Sequence, residues 1–283
     1  MNATTTQTQF VSTEGGRVAF EDTGGNGPVV LAIPGMGDLR SEYRFLRPAL
    51  QKAGYRVITM DARGFGDTSA KWTDFSARAV GRDAVAVLKH LGAGPATILG
   101  NSFAAGSALW AAKDAPEQVN GAVLLGPIVR DLEASFIQKL SLKIGFAGPW
   151  SVGFWTMYWN TLFPTNKPAD HAEVKAAITK NLREPGRIDA LKAMLGLSKA
   201  DTAAILDKTT VPALVVMGTK DPDFKDAVEE ARMLAGKLNA ETMIVDGAGH
   251  YPHTEMPDLV APRIVAFLDG LRASKATAPR AKS

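Results

Sequence analysis

The chain contains no cysteine. That absence removes disulfides, thiolate-bound metals and cysteine nucleophiles together, while leaving the redox compartment open. Histidine is scarce, with four among 283 residues, so chemistry that needs an imidazole has few candidates. No run reaches the roughly 20 apolar residues of a bilayer-crossing helix, so no membrane span is expected. Met1 to Gln9 lack the basic and apolar regions of a secretory signal, which makes a cytoplasmic location the expectation. Charge of one sign is lacking too. The net charge is +3, but Arg272, Lys275, Arg280 and Lys282 follow Leu271 with no acid among them, leaving the body near neutral. Nucleic-acid binding leaves a basic stripe along one face. None is found, so no nucleic-acid partner is expected, and residues 274–283 read as a solvated, disordered tail.

What is present is a regular alternation. Short apolar runs at 17–21, 29–33, 56–60, 96–99, 122–125, 213–217 and 242–245 read as strands. Most are continuous rather than alternating, as in strands covered on both faces. Helical patterns lie near 41–52, 75–91, 104–114, 225–237 and 258–271. Strand–helix–strand order implies an α/β fold with a doubly wound, mostly parallel sheet. Around Gln9 to Glu21 only short turns such as Glu14-Gly15-Gly16 intervene, which predicts an antiparallel hairpin at one edge. From about Leu132 to Lys208 the rhythm breaks, with helical patterns punctuated by Gly148-Pro149, Phe163-Pro164, Lys167-Pro168 and Glu184-Pro185-Gly186. The expected organisation is a core of 1–131 and 209–273, a helical cap of 132–208 over the sheet's carboxyl edge, and the tail. Phe154, Trp155 and Trp159 in that insertion are candidates for an apolar substrate pocket as well as for plain helix packing.

The most informative segment is Pro95-Ala96-Thr97-Ile98-Leu99-Gly100-Asn101-Ser102-Phe103-Ala104-Ala105-Gly106. An apolar strand ends, a serine follows, and an alanine-rich helix begins. A serine on so sharp a strand-to-helix turn brings backbones close, so the positions two before and two after it must be small. Gly100 and Ala104 meet that need. The turn would leave the Phe103 N–H at a helix N-terminus, able to stabilise an oxyanion. The plain alternative is a serine capping an ordinary helix.

His250 follows the last strand run in Gly247-Ala248-Gly249-His250, where glycines let a loop return to the sheet edge. An imidazole there could take and return a proton near neutrality. His90 and His171 lie elsewhere, and His253 is the one competitor. A His250–His253 metal pair lacks a third ligand at suitable spacing, so no metal is expected. Asp221 follows the strand run ending at Met217 and would accept the second N–H of the imidazole. Asp223 and Asp131 are alternatives, with Asp223 the better cap for the helix near Lys225.

With these segments in view, the chain resembles the α/β-hydrolase superfamily from about Gln9 to Leu271. The segments are Ile33-Pro34-Gly35-Met36-Gly37-Asp38, Asp61-Ala62-Arg63-Gly64-Phe65-Gly66-Asp67-Thr68-Ser69, the turn at Ser102, Gly218 to Asp221, and Gly249-His250. The order serine, acid, histidine is that of the fold. The resemblance implies a catalytic Ser102, Asp221 and His250, an oxyanion hole from the N–H groups of Met36 and Phe103, and structural roles for Asp61 and Arg63. It implies acyl transfer on a small, largely apolar ester, lactone or related substrate, with no cofactor. Members often carry His-Gly where this chain has Pro34-Gly35. Serine rather than aspartate at the turn argues against haloalkane dehalogenase and epoxide hydrolase chemistry. Gly-Asn-Ser-Phe also looks like the turn of meta-cleavage-product hydrolases, which cut carbon–carbon bonds; Lys143 or Arg183 could then hold a substrate carboxylate. A ligand-binding protein that kept the fold without turnover is the alternative from another class.

Overall fold

The computed structural model describes residues 7–133 and 136–277. Among them eight strands form one sheet, β1 (Gln9–Thr13), β2 (Gly16–Asp22), β3 (Val29–Ile33), β4 (Arg56–Met60), β5 (Ala96–Asn101), β6 (Val119–Leu125), β7 (Ala213–Gly218) and β8 (Glu241–Val245). Their order is β1-β2-β4-β3-β5-β6-β7-β8. β1 and β2 pair antiparallel, β2 meets β4 antiparallel, and every later pairing is parallel. The expected edge hairpin and mostly parallel sheet are therefore both present.

Continuous apolar runs follow from this burial. In β3, Leu31 and Ile33 pack into one core with Phe20, Ile58, Ile98 and Val215. Val30 and Ala32 pack into the other, with Val57, Leu99, Val123 and Val216. Successive side chains point to opposite faces, and both faces are dry. One face is covered by α2 (Ala77–His90), α3 (Ala104–Asp114) and α9 (Ala227–Leu238), the other by α1 (Leu46–Lys52) and α11 (Pro257–Thr277). A 3₁₀ turn, Arg40–Arg44, precedes α1, and the single turn α10 (Pro252–Glu255) precedes α11.

Between β6 and β7 no strand occurs among the described residues. The helices there are α4 (Phe136–Gly145), α5 (Ser151–Thr161), α6 (His171–Leu182), α7 (Arg187–Leu195) and the short α8 (Ala200–Ala203). Buried Trp155, Trp159, Leu162, Ile178 and Leu191 join the first core, so the insertion packs on the sheet domain. Helix α11 runs to Thr277, four residues into the expected tail; positions 278–283 lie outside the described residues. The chain winds from β3 to its neighbour β4 on one side and to β5 on the other. The gap between β3 and β5 is thus a topological switch point, where α/β sheets present their ligand crevices.

Candidate active site

The two segments that leave the switch point are Pro34 to Asp38 after β3 and Ser102-Phe103 after β5. Ser102 has φ +56°, a left-handed conformation that a serine adopts only under constraint. The constraint is visible around it. Its N–H donates to the carbonyl of Leu125, and its carbonyl accepts from the N–H of Ile128. A Cβ on Gly100 would lie 2.2 Å from the carbonyl oxygen of Ala104, so only glycine lets the strand and helix meet this closely. No N-cap bond of the kind a helix-capping serine makes is formed at the start of α3.

His250 reaches the same place from the other end of the chain. Its Nδ1 lies 2.7 Å from Asp221 Oδ2, with both side chains buried. Its carbonyl accepts from Asn101 Nδ2 at 3.2 Å, tying the histidine loop to the residue before Ser102. Burial alone would pull this imidazole down. The charge and hydrogen bond of Asp221, with Asp223 and Glu42 beyond, push it up to about 9. Ser102, Phe103, Met36 and His250 all line one cavity of about 580 Å³. Among the described residues, the N–H groups of Met36 and Phe103 have no protein acceptor.

Asp223 differs from expectation. The nearby helix starts at Ala227 and is capped by Asp226, whose side chain accepts from Glu229 N–H at 2.8 Å. Asp223 instead sits 3.5 Å from His250 Nδ1 and accepts the hydroxyl of Tyr158 from α5. Asp221, Asp223 and His250 hold ligand-type atoms within 4.8 Å of one another, the one such group among the described residues. Its donors are already engaged, by the imidazole–carboxylate bond and by Tyr158. Asp131 lines the cavity but is not bonded to the imidazole, its carboxylate accepting from Ser198 Oγ and Lys199 N–H. His253 is buried beside Glu42, 3.0 Å from its Oε1, and does not line the cavity.

Phe154 and Trp155 do line it, with Leu142, Phe146 and Tyr158. Trp159 does not. It is 2% exposed, stacks on His171 at 4.8 Å and donates its indole N–H to Asp38 Oδ2 at 3.1 Å. One helical turn past Trp155, it runs beyond the cavity into the core, where its N–H requires a buried acceptor. Lys143 is absent from the cavity wall, and Arg183 lies in a separate groove with Trp150 and Met157. Among the described residues, the basic group on the wall is Lys199, whose amine burial holds below its usual range.

Asp61 and Arg63 are occupied as braces. Asp61 accepts Arg40 N–H at 2.7 Å and Asp67 N–H at 3.0 Å. Arg63, 1% exposed, grips Asp83 at 2.5 and 2.9 Å. Sequence reading missed Glu42, Lys199 and the bond of Tyr158 to Asp223. Tyr158 carried a faint signal, three residues from Trp155 on one helix. Glu42 carried none, because its partners are 7 and 211 positions away.

Residues 28–257 match the family model described as alpha/beta hydrolase fold. Curated relatives include 3-oxoadipate enol-lactonase 2 of Acinetobacter baylyi, 24% identical over 72% of this chain and 74% of that protein. Another is a 2-hydroxy-6-oxononadienedioate/2-hydroxy-6-oxononatrienedioate hydrolase of Pseudomonas sp., 26% identical over 89% of this chain and 92% of that one. Among solved structures, a thermophilic esterase of Thermogutta terrifontis superposes with TM-score 0.76 at 24% identity, covering 94% of this chain and 99% of that chain. The enol-lactonase of Burkholderia xenovorans gives TM-score 0.78 at 20% identity, covering 92% and 100%.

Proposed function

The chain belongs to the α/β-hydrolase family, and on that footing we propose that it is a serine hydrolase acting by acyl transfer on a small, largely apolar ester or lactone. The observation that carries the reading is a serine held left-handed at the sheet's switch point, on the same cavity as a histidine bonded to a buried aspartate. In this reading His250 Nε2 takes the Ser102 proton as Oγ attacks the acyl carbon. Asp221 fixes the Nδ1–H tautomer and stabilises the imidazolium. The N–H groups of Met36 and Phe103 receive the oxyanion, each worth about 3 kcal/mol. His250 then protonates the departing alkoxide, and a water activated by the same imidazole hydrolyses the acyl-enzyme, returning free Ser102 and a carboxylic acid. Residues 132–208 act as a cap whose Leu142, Phe146, Phe154 and Trp155 select apolar acyl or alcohol groups.

A second reading draws on Lys199. Its amine lies on a wall that also carries Asp131, Glu133 and Asp223, and in this reading it is the group that meets a substrate carboxylate, as in carbon–carbon hydrolysis of ring-cleavage products. The test uses a fluorophosphonate probe and a panel of p-nitrophenyl esters, lactones and ring-cleavage products. Wild-type protein should be labelled at Ser102 and turn over an apolar ester, and Ser102→Ala should do neither. An unlabelled wild type would point instead to a ligand-binding protein without turnover. Undiminished ester hydrolysis by Ser102→Ala would remove the mechanism.

A further inference from the structure

Proline at position 34 has no N–H, so the loop after β3 must be held in another way if Met36 is to offer its amide to an oxyanion. The structure contains that other way. Tyr43 Oη donates to the Ile33 carbonyl at 2.8 Å. Its neighbour Glu42 accepts the Gly35 N–H on Oε2, also at 2.8 Å. The Gly35 carbonyl in turn accepts Asp38 N–H at 3.1 Å, and Asp38 is held by the indole of Trp159. Both backbone polar groups of Gly35, the residue before Met36, are thereby fixed, and Met36 lines the cavity with its N–H lacking a protein acceptor among the described residues.

We propose that Glu42 is a positioning residue of the oxyanion hole, holding the Gly35 peptide so that the adjacent Met36 amide points at the reacting oxygen. This rests on the serine-hydrolase reading above.

The carboxyl is built for one geometry. It is 2% exposed, and its second oxygen meets His253 Nε2 at 3.0 Å. His253 is itself buried and stacked on Tyr43 with centroids 5.4 Å apart. One proton lies between Oε1 and Nε2 in either tautomer, so Oε2 remains free to accept from Gly35. The pair joins the turn before α1 to the turn before α11, which are far apart in sequence. Gly35 has no room for adjustment: a Cβ there would fall 2.7 Å from Asn101 Oδ1, so the loop is pressed against the residue before Ser102. A small rotation of the Gly35–Met36 peptide would swing the donor off its target, and oxyanion stabilisation depends on donors placed within a few tenths of an ångström.

Three substitutions separate positioning from simple packing. Glu42→Gln keeps an oxygen acceptor at full reach and can still bond His253. Glu42→Asp keeps the charge but withdraws the acceptor by one methylene. Glu42→Met fills the space and accepts nothing. On an apolar p-nitrophenyl ester, Asp and Met should lower kcat on the order of tenfold to a hundredfold, up to the loss of one donor. KM should stay within about twofold, and Gln should recover most of kcat. Inhibition by an alkyl trifluoromethyl ketone, whose serine adduct puts an oxyanion in the hole, should weaken in step with kcat. Gln as slow as Met, Asp as fast as wild type, or losses carried by KM with inhibition unchanged would overturn the assignment. If the Met variant does not fold, Asp against Gln decides. Should fluorophosphonate fail to label wild-type Ser102, the hydrolase reading falls and this one with it. Labelling together with an overturning pattern removes Glu42 alone.

Discussion

The two walls of the cavity are built on different principles. The sheet wall is made of groups fixed by backbone: Ser102 in a left-handed turn, His250 bonded to Asp221 at 2.7 Å, and amides held by a braced loop. The helical wall is made of side chains held by packing, with Phe146 edge-on to Phe154 at 5.3 Å and Trp155 against Tyr158 at 5.4 Å. Polar links cross between them, from the Tyr158 hydroxyl to Asp223 and from the His250 N–H to the Leu162 carbonyl. The contrast suggests that the sheet wall decides whether a bond is cleaved and the helical wall decides whose bond it is. Preorganised dipoles need rigid supports, whereas an apolar pocket can be resized by a few methylenes with graded effect.

If that division holds, substitutions on the sheet wall cost orders of magnitude in kcat on every substrate. Ser102→Ala should be the most severe, on the order of 10⁴- to 10⁶-fold in kcat measured on an activated ester. Asp221→Asn should follow at about 10⁴-fold, because an amide at that position favours the wrong imidazole tautomer. Asp223→Asn should fall well short of it, as Asp223 lies 3.5 Å from the ring; equal losses would mean that the acid is misassigned. On the helical wall, Phe154→Ala or Trp155→Ala should change the ratio of kcat/KM values between short and long acyl esters by about tenfold to a hundredfold, with kcat on the preferred ester within a few-fold. A loss as large as that of Asp221→Asn on all esters would break the comparison.

The smallest effect is one of pH. His250 must be neutral to act as a base, and its surroundings raise it to about 9. Esterase kcat/KM should therefore climb as pH rises towards that value, and Asp223→Asn should move the limb to lower pH by removing one of the charges that favour the imidazolium. Stability runs the other way. The folded protein binds this proton more tightly than the unfolded chain, so the contribution is full below the ordinary histidine value of about 6.5. It is lost as pH rises through about 9. Thermal melts of wild type and His250→Gln across that window should converge at the alkaline end if the linkage is as described.

Much of this was legible in the chain. The strand runs fell where β3 and β4 begin and end, because strands buried on both faces must be apolar at every position. The small residues around Ser102 announced a close approach, and the structure shows Gly100 in that contact. Asp223 was misread because Asx capping is a local pattern and Asp226, three residues on, satisfied it equally well. Trp159 was misread because helical spacing tells which residues share a face, not where a cavity along that face ends. Glu42 was invisible, since an acid in a turn looks solvated until the elements that bury it are known.

The sequence by itself determined the alternation of strands and helices, the sharp turn that exposes a serine, and the loops that could return an imidazole and an acid to it. These rest on periodicity and backbone sterics, which act over a few residues. Only the tertiary structure decided which carboxylate meets which nitrogen, which aromatic faces the cavity, and what holds the Met36 loop in place of the histidine it lacks. Those choices depend on groups up to 211 positions apart becoming neighbours without water between them, and burial of that kind is a property of the packed whole.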